Sequence, residues 1–107
     1  MKFSGTLTEL DIVFDEADYD VSEAVVAKNR IAIDWEEAGE PFHVVLTSSD
    51  GVYFEGHYGS PLPNPNWKMQ GTKYTAADKG VLLIVNWFQT DNGNEGACLF
   101  ELEPVDN

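Results

Sequence analysis

The chain predicts an all-β fold, an antiparallel up-and-down meander of about eight short strands that closes as a small barrel or folds as a two-sheet sandwich. Three observations predict it. Apolar and polar residues alternate along nearly every segment, the period of a strand with one buried face. Turn signals recur at intervals of about 8–14 residues, so neighbouring strands are joined by hairpins. The stretch Gly80 to Pro104 specifies a hairpin by itself. At 107 residues, all of this fits one domain over residues 1–107.

Phe3, Gly5 and Leu7 alternate in one phase and Leu10, Ile12 and Phe14 in the other, which reads as a long first strand with a bulge near Thr8-Glu9. Asp15 to Asp20 is then a charged connection. Ser22 fits a helix cap, but Val25-Val26 and the Lys28-Asn29 turn favour a strand over Val21 to Ala27. Arg30 to Glu36 places Ile31, Ile33 and Trp35 on one face and Ala32, Asp34 and Glu36 on the other.

Phe42 to Ser48 and Val52 to Tyr58 flank Ser49-Asp50-Gly51, which fits a three-residue loop with a left-handed glycine. That register sets Phe42 opposite Tyr58, Leu46 opposite Phe54, and His43 opposite His57. Gly59 to Asn66 is Pro-rich and reads as an extended loop outside any ladder. Trp67 to Tyr74 resumes the alternation, and pairing Thr75 with Val81 sets Met69 opposite Trp87. In the last hairpin, a two-residue Asn92-Gly93 loop sets Trp87 opposite Cys98, Val85 opposite Phe100 and Leu83 opposite Leu102.

Charge is the compositional outlier. Nineteen acids against six bases give a formal net charge of −13 and a pI near 4.1. Nucleic acid is excluded as a partner because two polyanions repel, and a basic protein is the complementary choice. Eleven of the acids lie in the first 40 residues. The expectation is therefore a non-enzymatic acidic module that docks on and inhibits a basic partner, in the manner of an immunity protein or a nucleic-acid mimic. Its contact residues are Asp15, Glu16, Asp18, Asp20 and Glu23, with Tyr19 or Tyr58 as exposed aromatic anchors.

A second expectation is a small-ligand barrel whose pocket is lined by Trp35, Phe54, Trp67 and Trp87. A third feature is a metal candidate. The only two histidines, His43 and His57, would face each other with Cβ atoms roughly 4.5–5.5 Å apart, and Glu55 would be a third ligand.

Other chemistry is excluded by pattern. Asp18-x-Asp20-x-Ser22 opens like a calcium loop, but Glu23 and Asn29 stand where that loop needs Gly and Glu. Asp34 and Glu36 pair as same-face acids on a strand, an arrangement that ordinarily just faces water. No nucleophile elbow, phosphate-cradling loop, dinucleotide fingerprint or Cys-x-x-Cys occurs, and no cofactor is called for. No run reaches the roughly 18 apolar residues of a membrane span, and no export signal precedes the first strand. The single Cys98 reads as a buried thiol in a reducing cytoplasm. A long exposed edge strand would permit a homodimer by strand pairing.

Overall fold

The computed structural model describes residues 2–10 and 18–105. Eight strands follow in chain order: β1 Lys2–Glu9, β2 Asp18–Val26, β3 Arg30–Glu37, β4 Glu40–Thr47, β5 Tyr53–Gly59, β6 Trp67–Thr75, β7 Val81–Gln89 and β8 Asn94–Pro104. Each pairs antiparallel with the next, and β1 pairs with β8 from Phe3↔Pro104 to Glu9↔Cys98. The meander is a closed barrel. Closure takes up both would-be edges, so a homodimer by strand pairing has no edge among the described strands.

The two-residue period explains the core. Leu7, Ile31, Ile33, Trp35, Val44, Leu46, Phe54, Leu83, Val85 and Phe100 all point inward and are essentially sealed from solvent. Each such side chain contributes about 1.5–3 kcal/mol relative to full exposure. No polar or charged residue is buried among the described ones, so apolar side chains fill the inside. Gly56 lets β4 and β5 approach here, since a Cβ on it would lie 1.9 Å from the Val45 carbonyl oxygen.

Several local expectations change. Bulges fall between Phe3 and Gly5 and between Val21 and Glu23, not near Thr8-Glu9. Val21 to Ala27 belongs to a strand, and that strand begins three residues earlier, so Asp18, Tyr19 and Asp20 are strand rather than loop residues. Ile12, Phe14, Asp15 and Glu16 lie outside the described residues. The Pro-rich segment is folded back rather than extended: Asn64 N–H donates to the Tyr58 carbonyl at 2.9 Å, and the Ser60-Pro61 peptide is cis.

The Thr75↔Val81 and Met69↔Trp87 pairs are as expected. Two other hairpins are displaced by two residues. In β4–β5, Val44 faces Tyr58 and Leu46 faces Gly56. There Asp50 accepts hydrogen bonds from Val52 N–H and Tyr53 N–H, while Ser48 N–H bonds to Asn29 O, so the chain leaves the ladder after Thr47. In β7–β8, Val85 faces Cys98, Leu83 faces Phe100 and Gln89 faces Asn94. Gly93, at φ +76°, donates to the Gln89 carbonyl across a four-residue loop.

Candidate functional site

The two ends of the barrel differ. At one, where β1, β3, β5 and β7 begin, Phe3, Ile31, Phe54, Val81 and Leu102 close the interior. The Lys73 ammonium lies 5.4 Å from the centre of the Phe54 ring. At the other end the same inward phase runs out into long aromatic and polar side chains. Leu7 is followed by Glu9, Trp35 by Glu37, Met69 is preceded by Trp67, and Trp87 is followed by Gln89.

Those residues, with Phe42 and Tyr58, line an open pocket of about 140 Å³. Its walls are rings that hold one another. Trp35 stacks on Phe42 with centroids 5.6 Å apart and planes 15° apart, and Tyr58 contacts Trp67 at 5.5 Å and the edge of Trp87 at 6.5 Å. Beneath Trp35, Phe100 packs edge-on at 5.6 Å.

The polar atoms are also organised. Trp35 Nε1 donates to Glu37 Oε2 at 2.8 Å, Trp87 Nε1 to Glu9 Oε2 at 3.3 Å, and Trp67 Nε1 to Asp91 Oδ1 at 3.1 Å. Gln89 Nε2 donates to the Tyr58 hydroxyl at 3.0 Å. All three indole N–H groups are therefore anchored on acids, which fixes the rings. Burial pushes the Tyr58 hydroxyl up to about 12, with Cys98, Glu9 and Glu37 adding to the shift and the Gln89 bond opposing it. Tyr19, hydrogen-bonded to Glu37, is raised by burial and then by the charges of Glu37 and Glu9. Cys98 is raised by burial and by the same two acids. Glu9 and Glu37 thus make this end of the barrel electronegative.

Three of the four tryptophan and phenylalanine candidates, Trp35, Trp67 and Trp87, meet in this pocket, whereas Phe54 plugs the opposite end. Glu9, Glu37, Phe42 and Gln89 were not singled out from the sequence. Their signal was available: Glu9 and Glu37 stand two residues beyond Leu7 and Trp35, an acid in the inward phase at a strand end.

The other candidates scatter. Tyr19 and Tyr58 turn inward, so neither is an exposed anchor. Asp18, Asp20 and Glu23 stand exposed on β2. His43 faces Gly59, and His57 faces Val45 and Lys68, so the two histidines are not directly opposed. His43 Nδ1 instead pairs with Asp34 Oδ1 at 2.5 Å. Glu55 and His57 share an outer groove with Lys68, whose ammonium disfavours a cation, and no metal-holding group of three forms among the described residues. No family model, curated protein or solved structure matches this chain.

Proposed function

We propose that this barrel binds one small organic molecule in the aromatic pocket at its open end. The observation that carries the reading is the convergence of Trp35, Trp67 and Trp87 with Phe42 and Tyr58 around about 140 Å³ of open space. Apolar walls with a few fixed polar groups are the usual make-up of a ligand site. The volume is small, comparable with a cavity of about 150 Å³ that holds one benzene. The ligand, or the part of it that enters, is therefore of that size.

We read the site as binding rather than catalytic. Its lining includes no histidine, serine or threonine, and the nearby Cys98 is sealed beneath it with its thiol held protonated by burial. The test is a titration of small aromatic and aliphatic compounds followed by tryptophan fluorescence and thermal melting. A saturable fluorescence change with a rise in Tm supports the pocket, and loss of both in Trp67→Ala ties them to it. A panel that moves neither signal would sink the reading.

A second reading, docking on a basic protein, is favoured by one feature. Asp18, Asp20 and Glu23 of β2 lie beside Asp34 and Glu36 of β3, with Glu23 directly across from Asp34. Like charges so placed repel. Lys2 reaches Glu23 at 3.6 Å and His43 pairs with Asp34. Binding of this kind weakens steeply with salt and with Asp18→Asn, Asp20→Asn and Glu23→Gln combined. A salt-insensitive partner would exclude it.

A further inference from the structure

We propose that the pocket selects a small organic cation, a quaternary or protonated amine group, which sits against the aromatic lining beside Glu37 and Glu9. This rests on the reading of the pocket as a ligand site and names the charge of what it takes.

The first support is the kind of wall. Ring faces of tryptophan, tyrosine and phenylalanine carry negative quadrupole potential, and a box of them is the usual receptor for a quaternary ammonium group. Here Phe42, Trp67 and Trp87 are the part-exposed rings that a ligand meets, with Trp35 and Tyr58 packed against them from the core. The space of about 140 Å³ suits one compact head group.

The sign of the charges is the second support. The pocket is lined by two glutamates and by no lysine, arginine or histidine. Glu37 accepts the Trp35 indole N–H and bonds Tyr19, and Glu9 accepts the Trp87 indole N–H, so both carboxylates are held in place with their negative charge on the pocket lining. Four donors of the pocket are meanwhile engaged: the Trp35 and Trp87 N–H groups on the acids, the Trp67 N–H on Asp91, and a Gln89 amide N–H on Tyr58. The lining therefore offers a ligand mainly aromatic surface and carboxylate charge. An anion is repelled there, and a neutral molecule gains only burial.

Field effects agree with this placement. Glu9 and Glu37 act through the pocket on Tyr19, Tyr58 and Cys98 alike, so their potential is felt at its floor as well as its rim. A net charge of −13 also draws cations toward the molecule from a distance.

The test compares three molecules of nearly one shape: choline, its neutral carbon isostere 3,3-dimethylbutan-1-ol, and the anion 3,3-dimethylbutanoate. They are titrated into ¹⁵N-labelled protein while the three indole N–H resonances are followed. Choline is expected to move the Trp35 and Trp87 signals and to bind about tenfold or more tightly than the alcohol, with the butanoate weakest. Glu37→Gln should bring choline and the alcohol close to parity, while Glu55→Gln, outside the pocket, changes nothing. If Glu37→Gln fails to fold, Glu9→Gln makes the same comparison. Equal or tighter binding of the alcohol overturns the cation inference and leaves the ligand pocket standing. Silence of all three resonances with every probe overturns both.

Discussion

Trp87 lies over Gly96, its direct partner across β7 and β8: a Cβ on that glycine would come within 2.5 Å of Cζ2 and 2.7 Å of Cε2 of the indole. The glycine is a seat for the ring. With the indole lying flat on the β8 backbone, its N–H reaches Glu9 and its edge meets Tyr58, and the pocket stays open beside it.

Gly96→Val should therefore lift the indole toward the pocket. The expected result is loss of ligand binding, a shifted tryptophan emission maximum and a stability loss of about 1–3 kcal/mol, measured by denaturant titration. Retention of the wild-type Trp87 indole resonance would contradict the seating role.

Ala38 has φ +51° and is followed by Gly39 at +84° in the two-residue turn between β3 and β4. Positive φ at both central positions is the type I′ geometry, which suits Asn-Gly and penalises alanine. Ala38→Asn should raise stability by about 0.5–1 kcal/mol, or roughly 2–8 °C in Tm. A thermal melt decides it.

Cys98 is fully buried, and burial pushes its thiol well above the ordinary cysteine range. It should ignore a thiol reagent such as a disulfide dye in the native state at pH 8 and react completely once the chain is unfolded. The labelling rate then follows unfolding, so a stabilising Ala38→Asn change should slow it.

Tyr58 holds its proton to about pH 12 in the folded state, mainly through burial. The unfolded chain releases it near pH 10. Between those values the native state binds more protons than the unfolded one, so stability falls as pH rises through that window and is undiminished by this group below it. Absorbance titration at 295 nm should show one tyrosine ionising only near pH 12, together with unfolding. Tyr58→Phe should remove that group's part of the alkaline loss.

Much of this fold was legible because the period of a strand is local. Ile31, Ile33 and Trp35, or Leu83 and Val85, announce an inward face whatever they pair with. Register was less legible, for a definite reason. A slip of one residue would turn Trp87 or Leu46 to solvent and is forbidden by the pattern, whereas a slip of two keeps every face. Both displaced hairpins slipped by two. The turns made that choice, through Asp50 holding the amides of Val52 and Tyr53 and Gly93 bonding to Gln89. The His43 and His57 pair depended on register and fell with it, while three of the four aromatic candidates depended only on phase and met in the pocket.

By itself, then, the sequence determined the strands, their buried faces and the acidity, since alternation and composition need no partner to be read. Closure of β1 on β8, the Phe54 plug at one end and the ring of Glu9, Glu37, Trp35, Trp67 and Trp87 at the other were decided only in the tertiary structure. The residues of that ring come from four strands, β1, β3, β6 and β7. Only the joint twist and register of eight strands brings their ends to one rim.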